Sequence, residues 1–277
     1  MEHRVNAAIA ILLSASVMLA CSSLRPKQPF NWHITLEIDN SVPDRETTTR
    51  RAVTILENRL NALGVSNFAV QAQGTPPNGH IVVNLPTVAD RERLKKLLSA
   101  EGRLELAHVI SPPSPTPFSV YKSKQDAEAS LGGSASLNRR VLPYSERSDP
   151  IAGSKPASTA EPQQRWVVVE SPPIVDGSEL RDAQAYQSSG VENYNIRFTL
   201  GPYGAQNFDN WTSKNINEYL AVILNGEVKS VAYIKSRISD SGEIVGNFSK
   251  QAGEDMALVL RSGALPKLKI VEEGPNR

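Results

Sequence analysis

The stretch that decides the fold runs from residue 33 to residue 73 and reads HITLEIDNSVPDRETTTRRAVTILENRLNALGVSNFAVQAQ. Apolar and polar residues alternate over 33–39, which predicts a half-buried strand. Over 44–63 four apolar residues fall on one helical face, namely Val53, Leu56, Leu60 and Leu63. Gly64 follows as a natural helix end, and residues 68–73 are typical of a second strand.

The pattern continues outward through residue 109. Residues 80–85 predict a third strand, and Thr87 with Asp90 resembles a capping box that opens a helix to about residue 100. Leu94, Leu97 and Leu98 should face inward from that helix. Residues 103–109 predict a fourth strand. The order β-α-β-β-α-β indicates an α+β fold with a ferredoxin-like base.

Residues 111–165 have a different composition, with 8 of the 19 prolines of the chain. We expect long loops there, with short ordered pieces near 126–129 and 141–144. A second compact region then begins with a buried strand at 166–170. Its further elements are a helix at 177–186 with Ser178 as a possible cap, a strand at 195–200, a helix from Pro202, and strands at 220–224, 227–234 and 243–247.

The end of the second region has clear local signals. Asn225-Gly226 between two apolar runs favours a type I′ hairpin turn. Ser249 is a good cap for a helix to residue 262 that Gly263 ends, and residues 267–271 predict a last strand. Four residues of this helix should face inward, namely Ala252, Met256, Val259 and Leu260.

The N-terminal segment has the features of an export signal. An apolar run over 7–20 is too short to span a membrane comfortably and ends at Cys21, the single cysteine of the chain. The segment resembles a lipoprotein signal, which implies cleavage at residue 20 and lipidation of Cys21. A simple secretory signal and an uncleaved anchor are the alternatives.

The composition argues against several functional classes. The 30 basic and 29 acidic residues among 277 give a net charge of +1, which disfavours nucleic-acid binding. One cysteine and four histidines disfavour a metal site, and we expect no cofactor. We find no nucleotide-binding loop and no hydrolase signature, so we expect no catalytic residues. The tryptophans Trp32, Trp166 and Trp211 fit a binding surface or core packing.

Several segments, taken in order, resemble the SecD family of protein-export accessory subunits. RAVTILENRLNALGV at 51–65 is similar to the first periplasmic helix of SecD, and IVVNLPTVAD at 81–90 is similar to its next motif. VDGSELRDA at 175–183, FTL at 198–200 and ALVLRSGALP at 257–266 continue the series. The positions that carry these motifs are Asn58, Arg59, Asn61, Gly64, Gly74, Gly177, Gly226, Arg261, Gly263 and Pro266. We expect them to serve the fold, with Asn58, Arg59 and Asn61 on the helix surface.

The resemblance implies a division of the chain. It gives a signal peptide at 1–20, a tether at 21–31, a base domain at 32–110 and a Pro/Ser-rich segment at 111–165 that opens the head. The head follows at 166–248, then a return to the base at 249–273 and a tail at 274–277. In the family the head contacts unfolded polypeptide and moves relative to the base.

The resemblance also implies a function and partners. The expected function is assistance to Sec-dependent export at the outer side of the membrane, with a lipid anchor at Cys21 and no proton-driven motor. The implied partners are the Sec channel, SecD- and SecF-type membrane subunits and unfolded exported polypeptides.

The hairpin at 220–234 and the strand at 166–170 fit either apolar edges for peptides or buried central strands. The alternative function is an envelope lipoprotein that reuses the fold as a binding module. An enzyme or an inactive product of a split gene are more remote alternatives.

Overall fold

The computed structural model describes residues 30–39, 42–74, 79–113, 115–132, 138–145, 164–188 and 193–276. The signal peptide, Cys21 and most of the predicted tether lie outside these residues. The described elements are β1 (Trp32–Ile38), α1 (Arg45–Ala62), β2 (Ala69–Gln73), β3 (His80–Leu85), α2 (Arg91–Ser99), β4 (Leu104–His108), α3 (Lys124–Ala129), β5 (Arg139–Ser145), β6 (Gln164–Glu170), β7 (Val175–Asp176), β8 (Leu180–Gln187), β9 (Tyr194–Leu200), α4 (Pro202–Lys214), β10 (Tyr219–Leu224), β11 (Glu227–Tyr233), β12 (Ser241–Phe248), α5 (Lys250–Ser262) and β13 (Leu268–Pro275).

The base is a four-stranded antiparallel sheet in the order β13-β1-β3-β2, with α1 and α2 on one face. Alternate residues of β1 point toward these helices, and Ile34, Leu36 and Ile38 are almost fully buried, as predicted. The buried stripe of α1 consists of Ala52, Ile55, Leu56, Arg59 and Leu60. Val53 and Leu63 of the predicted stripe are half-buried and pack against the same cluster. A charged residue, Arg59, interrupts the apolar pattern.

The fourth strand of the base is β13 and not the predicted strand at 103–109. β13 pairs with β1 from Ile38↔Leu268 to Trp32↔Pro275. β4 instead lies inside the head, between β10 and β7. The burial of the two strands explains the difference: β4 has apolar contacts on both faces, whereas most of β13 is exposed, as suits an edge strand. β4 therefore pairs within the larger sheet of the head. Of the segment predicted to return to the base, β13 joins the base sheet, whereas α5 packs Ala257 and Leu260 into the head cluster.

The head contains a six-stranded sheet in the order β6-β5-β11-β10-β4-β7 and a three-stranded sheet in the order β12-β9-β8. β10 is buried on both faces. Leu220, Val222 and Leu224 face the cluster shared with the smaller sheet, while Ala221 and Ile223 face a second cluster. The backbone N–H of Ile110 donates to the carbonyl of Val168 (2.9 Å), so β6 returns to the end of β4 and the larger sheet curls on itself.

Most local predictions in this half of the chain are confirmed. The hairpin turn has positive φ at both Asn225 (52°) and Gly226 (78°), as a type I′ turn requires. Ser249 caps α5 by accepting from the N–H of Ala252 (3.3 Å). The ordered pieces expected near 126–129 and 141–144 are present as α3 and β5.

Three local predictions were wrong. Residues 177–186 form a short 3-10 turn and the strand β8, because pairing with β9 and packing under α5 override the helix-forming residues of that segment. Asp90, not Thr87, caps α2 by accepting from the N–H of Arg93 (2.9 Å). In α5, Ala252 is exposed and Met256 is half-buried, while Val259 and Leu260 are buried as predicted.

Candidate functional site

Base and head are joined by two chain crossings, which we call the neck: residues 100–103 after α2 and residues 263–267 after α5. Arg59, in the last turn of α1, is fully buried between them. Its guanidinium donates to the carbonyls of Leu97 (2.7 Å), Ala100 (2.5 Å) and Gly263 (3.1 Å), and to Ser262 Oγ (3.0 Å). One side chain therefore holds both crossings. The prediction that Arg59 lies on the helix surface was wrong.

The partners of Arg59 explain how a cation is kept in the interior. The carbonyls lie at the C-terminal ends of α2 and α5, where helices leave oxygens without partners and carry partial negative charge. Its hydrogen-bond acceptors among the described residues are neutral oxygens. The partial negative charges at the ends of two helices therefore balance the charge of the guanidinium, as a carboxylate would elsewhere. Burial lowers the pKa of Arg59 to about 10, which leaves the guanidinium charged at neutral pH.

The backbone at the neck is tightly packed. Gly102 has φ +69°, and a Cβ there would lie 2.5 Å from Val259 Cγ1 and 3.3 Å from Arg59 Nη2. Gly177, at the start of the 3-10 turn, touches the neck, since a Cβ there would lie 3.9 Å from Ala264 Cβ. The same Cβ would lie 3.3 Å from the backbone N and O of Leu104, next to the neck. The close approach leaves room only for glycine at position 102.

The hairpin tip also closes on the neck. The N–H of Arg103 donates to Asn225 Oδ1 (2.9 Å), and the N–H of Asn225 donates to the carbonyl of Arg103 (2.9 Å). Two clefts flank the neck. One, of about 490 Å³, lies between the first turns of α1 and the segment around Asp176, and Pro266 lines it. The other, of about 620 Å³, lies between α2 and α5.

The second cleft is crossed by an ion pair between base and head. Arg93 of α2 donates from Nη2 to Asp255 Oδ1 of α5 (2.5 Å) and from Nε to Asp255 Oδ2 (3.1 Å). This hydrogen bonding raises the pKa of Arg93 above its ordinary value. The Arg93 side chain is 38% exposed, so solvent screens the ion pair and its contribution to stability is modest.

The structure gathers some of the predicted motif residues at the neck and leaves others apart. Arg59, Gly177, Gly226, Gly263 and Pro266 lie at the neck or on its clefts. The other described motif residues lie elsewhere: Asn58 and Asn61 are exposed on α1, Gly64 and Gly74 have positive φ at turns of the base, and Arg261 donates to the carbonyl of Ala183 (3.1 Å) and fastens α5 to β8.

The head carries a row of rings, which we call the aromatic strip, in the spatial order Tyr144, Phe118, Tyr219 and Tyr233. The centroid distances between neighbours are 5.8, 5.6 and 6.1 Å. Tyr219 pairs with Tyr233 at the end of the β10–β11 hairpin remote from the turn that closes on the neck, so this end of the strip lies away from the base. Tyr144 lies opposite Val228, nearer that turn. Tyr233 is 37% exposed, and its hydroxyl donates to Oδ1 of Asn217 (2.8 Å), which follows Ile216 in the chain; Ile216 is 40% exposed. Sequence reasoning missed this strip because its members are distant along the chain.

The order of strands in the larger sheet bears on whether the hairpin at 220–234 and the strand at 166–170 have open edges where a peptide could pair. β10 lies between β11 and β4, and β11 lies between β10 and β5, so the hairpin is central. β6 is the last strand at one side of the sheet. Its outer edge is partly paired, however, because Trp166 forms a β-bridge with Tyr121 and Val169 forms one with Val109. Trp32 is buried in the base, and Trp166 and Trp211 are half-buried.

Two searches of the described residues bear on other functional classes. No group of three or more histidine, cysteine, aspartate or glutamate side chains in the described ranges has the arrangement of a metal site. Within the same residues, none of the helices combines the length and the apolar character needed to cross a bilayer.

Comparisons with known proteins agree with this architecture. The sequence model of the SecDF P1 head subdomain matches residues 154–267, and that of the N-terminal part of the P1 domain of protein translocase subunit SecDF matches residues 49–111. The chain is 31% identical over 239 residues to protein translocase subunit SecD of Aquifex aeolicus, covering 84% of this chain and 41% of that protein. It is 34% identical over 238 residues to SecD of Koribacter versatilis, covering 84% and 40%.

A solved structure extends the match to three dimensions. It belongs to SecDF, described as a membrane component that enhances protein export, and it matches with a TM-score of 0.60 and 29% identity. The match covers 87% of this chain and 98% of that one. The chain spans about two fifths of the length of the curated relatives it matches. The chain belongs to the SecD/SecDF family, and its described residues have the fold of the P1 domain of that family.

Proposed function

We propose that this chain assists Sec-dependent protein export by binding polypeptides as they emerge on the outer side of the membrane. We further propose that it is not an enzyme. Membership of the SecD/SecDF family supports the export role, since these relatives are named translocase subunits. The partners proposed are the Sec channel and SecD- or SecF-type membrane subunits.

The observation that carries the binding part of the proposal is the exposed end of the aromatic strip. Aromatic rings offer large, rigid apolar area. Phe118, Tyr144 and Tyr219 are half-buried against a cluster of the head, which fixes their positions, and Tyr233 at the end of the strip is exposed. Ile216, close to Tyr233 along the adjoining segment 215–219, is also exposed. Such a surface suits clients that share no sequence but expose apolar residues while unfolded.

The positions of the first and last described residues support an orientation in which the base lies near the membrane and the head points away from it. The backbone N–H of Asn276 donates to the carbonyl of Asn31 (3.1 Å), at the end of β13 remote from the neck. We propose that Cys21 is lipidated after cleavage at residue 20. The ten residues from 21 to 30 would span at most about 35 Å when extended. A lipid at Cys21 would therefore hold the base near the membrane and leave the aromatic strip pointing outward.

Photo-crosslinking in cells tests the binding surface. Crosslinkable residues are placed at Tyr233, Ile216 and Val120 on the far end of the head, while an exported protein is arrested midway through the channel. Matched control probes are placed at Gln71 and Gln73, which are exposed on the edge strand β2 of the base. We expect crosslinks to the arrested chain from the head positions and few from β2.

Two outcomes would contradict the proposal. Equal crosslinking from head and base would show that the aromatic strip is not the contact. Crosslinks only to other envelope proteins, with the channel shown to be jammed, would favour the alternative of a binding module with another role.

A further inference from the structure

The end of the base remote from the neck is formed by the starts of β1 and β2 and the ends of β3 and β13. Trp32, at the start of β1, lies opposite Leu85 of β3 and Pro275 of β13. The other end of β1, at Ile38, lies opposite Leu268, which follows the neck. We call the remote end the foot, and it consists of residues 30–32, 65–68, 85–91 and 275–276.

Most of the foot is free of charged side chains. Residues 60–89 form a run of 30 residues without aspartate, glutamate, lysine or arginine, although these four types make up 21% of the chain. The run includes the two connecting segments of the foot, 65–68 and 86–89, which meet along one cleft. Moving an ion out of water costs far more free energy than moving a neutral group. These segments can therefore approach the headgroup region of a bilayer without stripping water from a charge.

Two side chains of the foot are of the types that proteins place at the boundary between water and lipid. Phe30 is 39% exposed, and the residue after it is fixed to the foot, because Asn31 Nδ2 donates to Thr87 Oγ1 (2.8 Å). Arg91 is exposed, and its guanidinium carbon lies 5.0 Å from the centre of the Trp32 ring. An exposed phenylalanine adds apolar area to an interfacial contact, and an arginine pairs well with phosphate.

The charges around the foot favour an anionic partner. The chain that leads into the foot from position 21 contains Arg25 and Lys27 and no acidic residue. Two acidic residues at the start of α2 border the foot and have partners: Asp90 accepts from a backbone N–H of the helix (2.9 Å), and Glu92 pairs with Lys95 (2.7 Å). Basic residues beside a bilayer are attracted to anionic headgroups. Because this segment begins at the residue proposed to carry the lipid, the anionic surface within its reach is that of the bilayer.

We propose that the foot is a second membrane contact, in which Phe30 enters the headgroup region of the bilayer. Arg25, Lys27 and Arg91 then meet the phosphates of anionic lipids. The contact adds to the lipid at Cys21 and sets the direction in which the head points. The proposal rests on the location proposed above, at the outer side of a membrane, but the contact is measurable without a channel and without a client.

Co-sedimentation with lipid vesicles tests the contact. The chain from residue 21, which includes every described residue, is used with Cys21→Ser so that no lipid is attached. The vesicles contain equal parts of phosphatidylcholine and phosphatidylglycerol. We expect the partition coefficient onto these vesicles to fall about fivefold in Phe30→Ser and about tenfold in Arg25→Gln Lys27→Gln. Vesicles of phosphatidylcholine alone should bind the unchanged foot about tenfold less tightly.

Matched controls on the head carry the same chemical changes. Tyr203→Ser removes an aromatic ring that is 69% exposed on α4, and Lys214→Gln Lys235→Gln removes two exposed cations. Both should bind the vesicles as tightly as the chain with an unchanged head. A chain with an intact foot that does not sediment with anionic vesicles would overturn the proposal, and so would equal losses from the foot and head variants. Crosslinking from the head tests the export role separately, so either proposal can fail alone.

Discussion

Replacing Arg59 by methionine is expected to lower the free energy of unfolding by about 3–5 kcal/mol. Methionine fills much of the same volume but leaves the buried carbonyls at the ends of α2 and α5 without a donor. Each acceptor that stays buried and unpaired costs about 1–3 kcal/mol, and some regain water by local opening. Arg59→Lys keeps the charge but cannot reach all acceptors at once, so a loss of about 2 kcal/mol is expected.

Urea unfolding followed by circular dichroism measures both losses. Arg51→Met is the matched control, since Arg51 is exposed on the same helix and its replacement should change the free energy by less than about 0.5 kcal/mol. A loss below about 1 kcal/mol for Arg59→Met would show that the neck does not depend on this side chain.

Replacing Gly102 by alanine is expected to cost about 2–4 kcal/mol, from two sources. The left-handed backbone at φ +69° disfavours any Cβ by about 1–2 kcal/mol. The new methyl would also lie 2.5 Å from Val259 Cγ1, and such overpacking typically costs about 1–3 kcal/mol.

Gly64→Ala separates the two sources. Gly64 has nearly the same φ, +70°, but a Cβ there would meet nothing within 4 Å. This variant should lose only the backbone part, about 1 kcal/mol. Equal losses for the two variants in urea unfolding would mean that α5 moves away freely from position 102 and that the neck is not tightly packed.

Local signals in the sequence predicted much of the fold, because local chemistry fixes those elements. The Asn225-Gly226 turn and the Ser249 cap each depend on residues within four positions of one another. The apolar alternation of β1 likewise determines which face is buried. For these elements the observed backbone follows the residue types directly.

The failures share a different cause, which is contact between distant parts of the chain. β4 and β13 both have the composition of strands, and only the packing of the inserted head decides which of them joins β1. The segment 180–187 favours a helix by composition but becomes a strand because it pairs with β9 and packs against α5, whose Arg261 donates to the carbonyl of Ala183, 78 residues away.

The candidate site was harder to predict than the fold for the same reason. Arg59 looks like a surface residue in a polar helix, and its partners at Leu97 and Gly263 lie 38 and 204 residues away along the chain. The aromatic strip likewise forms only when the segment around Phe118, β5, β10 and β11 are folded together.

The central claim, that the head of this chain assists exported polypeptides, is tested most directly by the rate at which precursors are processed in cells. Pulse-labelled exported proteins are followed in cells that lack the chain and in cells that carry either the wild type or an Ile216→Asp Tyr233→Ser variant at equal abundance. The account predicts that precursors accumulate without the chain, that the wild type restores processing, and that the variant restores it poorly. Equal processing rates in all these cells would contradict it.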